Sequence, residues 1–142
     1  MTISIILVDD HEIFRQGLEL LLSIYADFTL VGQAANGLDG LALAERLHPD
    51  VVIVDMMMPG MSGLEMTTRL MQKLPDSRVV ILSMHNDEFY VVNALKNGAF
   101  GYVLKDLMAT DLAPAVRAAV EGECFLSQPL NRFAGGLNRP KK

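Results

Sequence analysis

The sequence lacks the features that would place the chain in a membrane or an oxidising compartment. Its one cysteine, Cys124, cannot form an internal disulfide, and no spacing of Cys or His suggests a zinc site. No window of about 18 consecutive apolar residues occurs, so no membrane-spanning helix and no membrane partner are expected. The N-terminus lacks the basic segment and cleavage pattern of a signal peptide. These absences predict a cytoplasmic protein.

Basic residues are scarce in most of the chain. Eight basic and seventeen acidic residues precede residue 127, which gives residues 1–126 a formal charge of −9. The other four basic residues all follow the last acid, Glu123. A body this acidic binds nucleic acid poorly, because the phosphate backbone repels it. The basic tail could contact DNA or an acidic surface, but four charges without aromatics or periodicity are more typical of a linker.

Hydrophobic residues, by contrast, make up 51% of the 142 residues, enough for the core of one domain. Strand-like apolar runs and helix-like apolar stripes alternate five times. The third run, Val51–Asp55, is continuously apolar, which is typical of parallel strands covered on both faces. The alternation predicts an α/β fold, a doubly wound parallel (βα)₅ sheet with right-handed crossovers. Known folds of this flavodoxin-like pattern have the strand order 2-1-3-4-5.

The hydrophobic pattern fades after Gly122. We therefore predict one domain over residues 1–124 and a linker or tail over residues 125–142. Ala134-Gly135-Gly136 and Asn138-Arg139-Pro140 have the composition of flexible linkers.

Charged and polar residues stand where four of the apolar runs end. Asp9 and Asp10 follow the first run, Asp55 ends the third, Ser83 the fourth, and Lys105 follows the fifth. Because parallel strands end at one edge of the sheet, these side chains should meet where open α/β sheets bind ligands. Clustered carboxylates repel one another, and a divalent cation is the usual reason to assemble them. The sequence therefore predicts a site where Mg²⁺ and a phosphoryl group meet on an aspartate.

These residues, in this order, resemble the receiver domain of bacterial two-component response regulators, over roughly residues 3–121. Pro59 and Gly63, four and eight positions past Asp55, also match the family pattern. So does Tyr102, an aromatic residue three positions before Lys105.

Local sequence is similar to the NarL/LuxR-type subfamily, notably Val8-Asp9-Asp10-His11 and Gly98-Ala99-Phe100-Gly101-Tyr102. In that subfamily a helix-turn-helix domain usually follows the receiver. The resemblance thus implies a receiver domain excised from a transcription regulator, with DNA bound only through a C-terminal domain missing from this sequence. One departure is Asp106, since many receivers follow the lysine with a proline in a cis peptide bond; a cis bond here is more costly.

The resemblance assigns the central chemistry to the carboxylates. Asp55 would accept a phosphoryl group from a sensor histidine kinase, giving an acyl phosphate. Mg²⁺, for which Mn²⁺ can substitute, would be held by Asp10, Asp55 and the main-chain carbonyl of Met57. Asp9 would act through a water or by supporting the ligands. Self-phosphorylation and self-dephosphorylation at Asp55 are the only reactions implied, so the domain is not expected to be an enzyme.

The resemblance also assigns the residues around the carboxylates. Lys105 would pair with the nucleophile and then with a phosphate oxygen, and Ser83 would hydrogen-bond another. Tyr102 would turn inward when Ser83 moves toward the phosphate, reshaping the surface of the fourth helix, fifth strand and fifth helix. Homodimerisation on phosphorylation could use that surface or one formed by the first and fifth helices. Met57 and His85 would flank the approach of water and set the lifetime of the phosphate.

Simpler interpretations of the same residues remain open. Asp9, Asp10 and Asp55 could each cap the turn that follows, because aspartate is favoured there. Ser83 could be a helix N-cap. Tyr102 could simply fill the surface of the fifth strand. His11 is interpreted as structural or solvent-facing rather than catalytic.

Other functions would need other residues. A small Mg²⁺-dependent phosphatase of the haloacid-dehalogenase type needs a second aspartate two positions after the nucleophile, where this chain has Met57. A flavodoxin-like binding domain needs a phosphate-cradling loop after the first strand, where this chain has Asp9-Asp10-His11-Glu12. A stand-alone receiver that acts through protein contacts is a further alternative.

Overall fold

The computed structural model describes residues 2–136, and in this part of the chain strands and helices alternate. The strands are β1 (Ile3–Val8), β2 (Phe28–Ala34), β3 (Val51–Asp55), β4 (Arg78–Ser83), β5 (Gly101–Leu104) and β6 (Phe125–Leu126). The α-helices are α1 (Glu12–Ser23), α2 (Gly37–Leu47), α3 (Gly63–Lys73), α4 (Glu88–Lys96) and α5 (Met108–Val120). Two 3-10 helices span Lys105–Leu107 and Gln128–Gly136.

The strands form one parallel sheet in the order β2-β1-β3-β4-β5-β6. The predicted fold class and the predicted order of the first five strands are confirmed, and a sixth strand is added at the β5 edge. Every residue of β3 is buried, as its continuous apolar run predicts.

Side chains of each central strand alternate between two hydrophobic clusters, one on each face of the sheet. In β1, Ile6 and Val8 belong to the cluster that includes residues of α2, α3 and α4. Ile5 and Leu7 belong to the cluster that includes residues of α1 and α5. This alternation of period two fixes the register of the sheet, because a slip of one residue would exchange the two faces. The carboxyl ends of the strands are thereby held in fixed positions.

The folded part extends past the predicted boundary at residue 124. The backbone N–H of Ser127 donates to the Tyr102 carbonyl (3.1 Å), and the Ser127 hydroxyl accepts from the Leu104 N–H (3.0 Å). Leu126 and Leu130 are buried in the core cluster on the α2–α4 face. Residues 134–136, predicted to be linker, lie in a 3-10 helix. The rest of the predicted linker, including Asn138-Arg139-Pro140, lies outside the described residues.

No helix within residues 2–136 has the length and apolar character that a membrane span requires.

We expect Leu130→Ala to lower the free energy of unfolding by about 2–5 kcal/mol, because a fully buried leucine leaves a cavity. The measurement is urea denaturation followed by circular dichroism. Asn131→Ala, at an exposed position of the same 3-10 helix, is the matched control and should change stability by no more than about 0.5 kcal/mol. Equal stability of the two variants would show that this segment does not belong to the cooperative fold.

Candidate functional site

Three carboxylates and one imidazole meet at the carboxyl ends of β1 and β3. These strands are hydrogen-bonded neighbours, and Val8 of β1 is level with Val54 of β3. Asp9 and Asp10, directly after β1, therefore lie beside Asp55, the last residue of β3. Ligand atoms of Asp9, Asp10, His11 and Asp55 all lie within 4.8 Å of one another. The structure thus brings the three predicted carboxylates together and adds His11.

Two of the three carboxylates, Asp9 and Asp55, are buried, and the set is incompletely hydrogen-bonded. Asp9 is 2% exposed and Asp55 is 4% exposed. Asp9 Oδ1 accepts a hydrogen bond from the backbone N–H of His11 (2.8 Å), so Asp9 does cap its turn. However, Asp9 Oδ2 and Asp10 Oδ1 are buried and accept no hydrogen bond from any described residue. Buried carboxylate oxygens that lack hydrogen bonds are costly, and a divalent cation that prefers oxygen ligands fits them.

Lys105 is the cation that the fold itself places at the cluster. Its Nζ lies 3.3 Å from Asp55 Oδ1 and 3.7 Å from Asp9 Oδ2. The ring of Phe14, on α1, lies beneath the ammonium group, with Nζ 4.3 Å from the ring centroid. This cation–π contact holds the lysine toward the carboxylates. Lys105 begins a 3-10 helix, and its peptide bond to Asp106 is trans.

The electrostatics of Asp55 are dominated by burial. Removal from water raises the pKa of this carboxyl group above its usual value of 3.8. The ammonium group of Lys105 opposes that rise, while the charge of Asp9 adds to it. Ionised Asp55 is therefore costly at this edge, where three carboxylates face the ammonium group of Lys105, and a divalent cation would relieve that cost.

The start of α3 packs closely against the backbone of Asp55 and Met56. A Cβ at position 63 would lie 2.5 Å from the Asp55 carbonyl oxygen and 2.9 Å from Met56 Cα, so only glycine allows α3 to start this close. The Gly63 N–H donates to the Met56 carbonyl (2.9 Å). The Met57 N–H donates weakly to Asp55 Oδ1 (3.4 Å), and its side chain is 51% exposed beside the site.

Arg15, on α1, fixes the backbone of the acidic pair. One guanidinium nitrogen donates to the Asp9 carbonyl (2.5 Å), and another donates to Gln33 Oε1 (3.2 Å). Sequence reasoning missed Arg15 and Phe14. Phe14 belongs to an ordinary apolar helical stripe, and nothing in that pattern identifies the ring that supports the lysine.

Ser83, His85 and Tyr102 form a second connected set. Ser83, at the end of β4, accepts a hydrogen bond from the backbone N–H of His85 (2.9 Å). The Tyr102 hydroxyl donates to the His85 carbonyl (2.8 Å). The ring of His85 stacks on Tyr90 of α4. The N-cap of α4 is Asp87, so the alternative role of Ser83 as that cap is wrong.

Tyr102 already points inward in this structure. It is fully buried, and that burial raises the pKa of its hydroxyl to about 12. It belongs to the core cluster, and its hydroxyl bonds the loop after Ser83; its role as a switch stays a prediction.

Comparison with known proteins identifies the class. The family model described as "Response regulator receiver domain" matches residues 5–117, so the chain belongs to the response regulator receiver domain family. The resemblance found in the sequence is confirmed by this match.

Similarity to individual relatives places the chain in the NarL/LuxR-type subfamily. The chain is 46% identical over 127 residues to the nitrate/nitrite response regulator NarL of Escherichia coli (strain K12), which covers 89% of this chain and 59% of NarL. It is 39% identical over 124 residues to the transcriptional regulatory protein DegU of Brevibacillus brevis, covering 87% of this chain and 52% of DegU. The chain thus spans little more than half the length of these relatives.

Solved structures of related response regulators superpose closely on this one. A LuxR-family two-component response regulator from Aurantimonas sp. SI85-9A1 superposes with a TM-score of 0.90 at 31% identity, covering 96% of this chain and 98% of that one. The signal receiver domain of NarL from Mycobacterium tuberculosis superposes with a TM-score of 0.82 at 33% identity, covering 86% and 98%.

We predict that Asp55→Asn stabilises the metal-free protein at pH 7, raising Tm by on the order of a few degrees. Because folding raises the pKa of Asp55, this group contributes stability at low pH that is lost as pH rises through its folded pKa. The neutral amide avoids that loss. The gain should shrink as pH falls toward 3.8, the usual value of the carboxyl group.

The measurement is calorimetry in EDTA across this pH range. Asp76→Asn, an exposed carboxylate preceding β4 at the opposite edge of the sheet, serves as the control. A gain for Asp55→Asn that does not depend on pH would contradict the assignment of the effect to burial of the charge.

Proposed function

We propose that the chain is a phosphorylation-activated switch of a two-component system, in which Asp55 accepts a phosphoryl group from a sensor histidine kinase. The observation that carries this proposal is the pairing of buried Asp55 with Lys105, beside two buried carboxylate oxygens that accept no hydrogen bond from a described residue. Family membership supports the same chemistry.

In the reaction, a carboxylate oxygen of Asp55 attacks phosphorus and forms the acyl phosphate. The phosphorus–nitrogen bond to the kinase histidine breaks, and its electron pair leaves with the imidazole. Because the carboxylate is a weak nucleophile and the transferred group is anionic, catalysis consists of positioning and charge neutralisation. Lys105 moves its ion pair from Asp55 to a phosphate oxygen, and Ser83 hydrogen-bonds another.

The donor set suits Mg²⁺. Asp10 and Asp55 would bind it together with the main-chain carbonyl of Met57, and Asp9 would act through a water or by supporting these ligands. When bound, Mg²⁺ supplies neutralising charge for the carboxylates and the phosphoryl oxygens. Mn²⁺ can substitute, because carboxylate, carbonyl and water oxygens suit both ions.

The signal would leave the site through Ser83 and His85. Movement of Ser83 toward the phosphate pulls on the His85 N–H that it accepts from, and the His85 carbonyl holds the Tyr102 hydroxyl. The α4–β5–α5 surface would change with these residues. Homodimerisation could follow on this surface, or on the surface formed by α1 and α5.

Regulation of transcription is the proposed output. The relative DegU is described as a transcriptional regulatory protein, and NarL as a response regulator. In this proposal DNA is bound by a C-terminal helix-turn-helix domain outside the present sequence, and the receiver controls it.

Acetyl phosphate should add one phosphoryl group to the protein in the presence of Mg²⁺ or Mn²⁺ and none in EDTA. Asp55→Asn should abolish the mass shift, because the amide cannot act as the acceptor. Intact-mass spectrometry and beryllofluoride binding are the measurements. Asp76→Asn keeps every group of the site and should label like the wild type. Full labelling of the Asp55→Asn variant would disprove the assignment.

The phosphorylated state should last minutes to hours, because the exposed thioether chain of Met57 shields the phosphate and orients no water. Met57→Asn should speed loss of phosphate several-fold, since an amide can position the attacking water. The measurement is decay of the phosphorylated mass after the donor is removed.

The control for this lifetime is Leu20→Asn, which changes another exposed apolar side chain, on α1 and outside the carboxylate cluster. Decay of the Met57→Asn variant at or below the wild-type rate would refute shielding. His85, two positions past Ser83, is the second residue proposed to influence the lifetime.

A further inference from the structure

His11 is the one imidazole that joins the carboxylate cluster among the described residues. Its Nδ1 lies 3.3 Å from Asp9 Oδ1 and 3.3 Å from Asp10 Oδ1. The ring nitrogen is thus as close to two of the carboxylates as Lys105 is to Asp55. The role proposed for this site so far makes no use of His11.

The backbone holds this ring at the cluster. The His11 N–H donates to Asp9 Oδ1 (2.8 Å), and its carbonyl accepts from the Arg15 N–H (3.0 Å), so the residue is fixed between β1 and α1. The side chain is nevertheless 66% exposed. A dissolved ion can therefore reach the imidazole directly, without opening the fold.

The two separations from His11 Nδ1 fit direct coordination by a small metal ion, and the whole set of four ligand atoms, within 4.8 Å of one another, would have to contract around it. Bonds of about 2.0–2.1 Å from a tetrahedral ion to nitrogen and oxygen place neighbouring ligand atoms about 3.3 Å apart. Both distances from His11 Nδ1 match that edge. The nine-tenths-buried Asp9 carboxylate also presents Oδ2, which accepts no hydrogen bond from a described residue and faces Lys105 only at 3.7 Å.

We propose that this site has a second metal-binding mode, in which His11 Nδ1 joins Asp9, Asp10 and Asp55 to bind Zn²⁺ and related first-row transition-metal ions. Imidazole nitrogen is a preferred ligand of these ions, whereas Mg²⁺ takes oxygen ligands. His11 therefore determines which metals the site accepts. The two modes share Asp10 and Asp55, so Zn²⁺ excludes Mg²⁺ and the protein would respond to the balance of the two ions.

This proposal goes beyond phosphoryl transfer and does not depend on it. The mode requires only the four side chains, whether or not Asp55 is ever phosphorylated. Metal binding measured without a phosphodonor therefore tests it separately from the proposed switch.

The experiment uses the full chain, freed of any affinity tag, with Cys124→Ser as background because an exposed thiol binds Zn²⁺ by itself. Co²⁺ is titrated while its visible absorption is recorded, and Zn²⁺ affinity is obtained by displacement of Co²⁺. Mg²⁺ affinity is measured separately by calorimetry. We expect one equivalent of Co²⁺ to bind with the intense absorption of a low-coordinate site.

His11→Gln should weaken Zn²⁺ and Co²⁺ binding on the order of tenfold or more. Mg²⁺ affinity should change less than about threefold, since no oxygen ligand is lost. His48→Asn removes an imidazole at the far end of α2, in a left-handed conformation that asparagine tolerates, and should leave every affinity unchanged.

Two results would overturn the proposal. Unchanged Zn²⁺ affinity in His11→Gln would show that the imidazole only forms an ion pair with the acids. An equal loss of Mg²⁺ and Zn²⁺ affinity would show that His11 merely supports the loop. Circular dichroism and thermal melting of each variant confirm that it is folded before its affinities are compared.

Discussion

The pairing of β1 with β3 is the constraint on which the rest of the site depends. Its register places Asp9 level with Asp55, so two carboxylates that repel each other are held together by backbone hydrogen bonds rather than by mutual attraction. Both strands are buried between two hydrophobic clusters, and the resulting stability offsets the repulsion. The fold thus holds carboxylates together at one edge of its sheet, where their negative charge favours the binding of a cation.

Lys105 neutralises the charge of these carboxylates only in part. Lys105 lies nearer to Asp55 than to Asp9, and the net effect on Asp55 is still a raised pKa. Burial therefore outweighs the single ion pair, as desolvation commonly does for carboxylates. Phe14 beneath the ammonium group and Arg15 on the Asp9 carbonyl stiffen this arrangement without neutralising it. A site built in this way favours the arrival of a cation and, with it, an anionic phosphoryl group.

The polar residues at the strand ends could be predicted, because apolar runs and parallel topology together determine where those side chains meet. The residues that pack against them could not be predicted. Phe14, for example, shares its helical stripe with ordinary core residues such as Leu18 and Leu22. Only its contact with Lys105, far away in the sequence, distinguishes it. β6 escaped prediction because two residues, Phe125–Leu126, are too few to show a period.

The segment after α5 is attached to the end of β5, close to the carboxylate edge. Ser127 bonds the carbonyl of Tyr102 through its backbone and the N–H of Leu104 through its hydroxyl, so it spans the end of β5. Leu104 directly precedes Lys105, and Tyr102 bonds the loop after Ser83. A backbone displacement at the end of β5 would therefore disturb the hydrogen bonds of Ser127. The 3-10 helix Gln128–Gly136 follows directly, so these hydrogen bonds attach the last described segment beside the carboxylate edge.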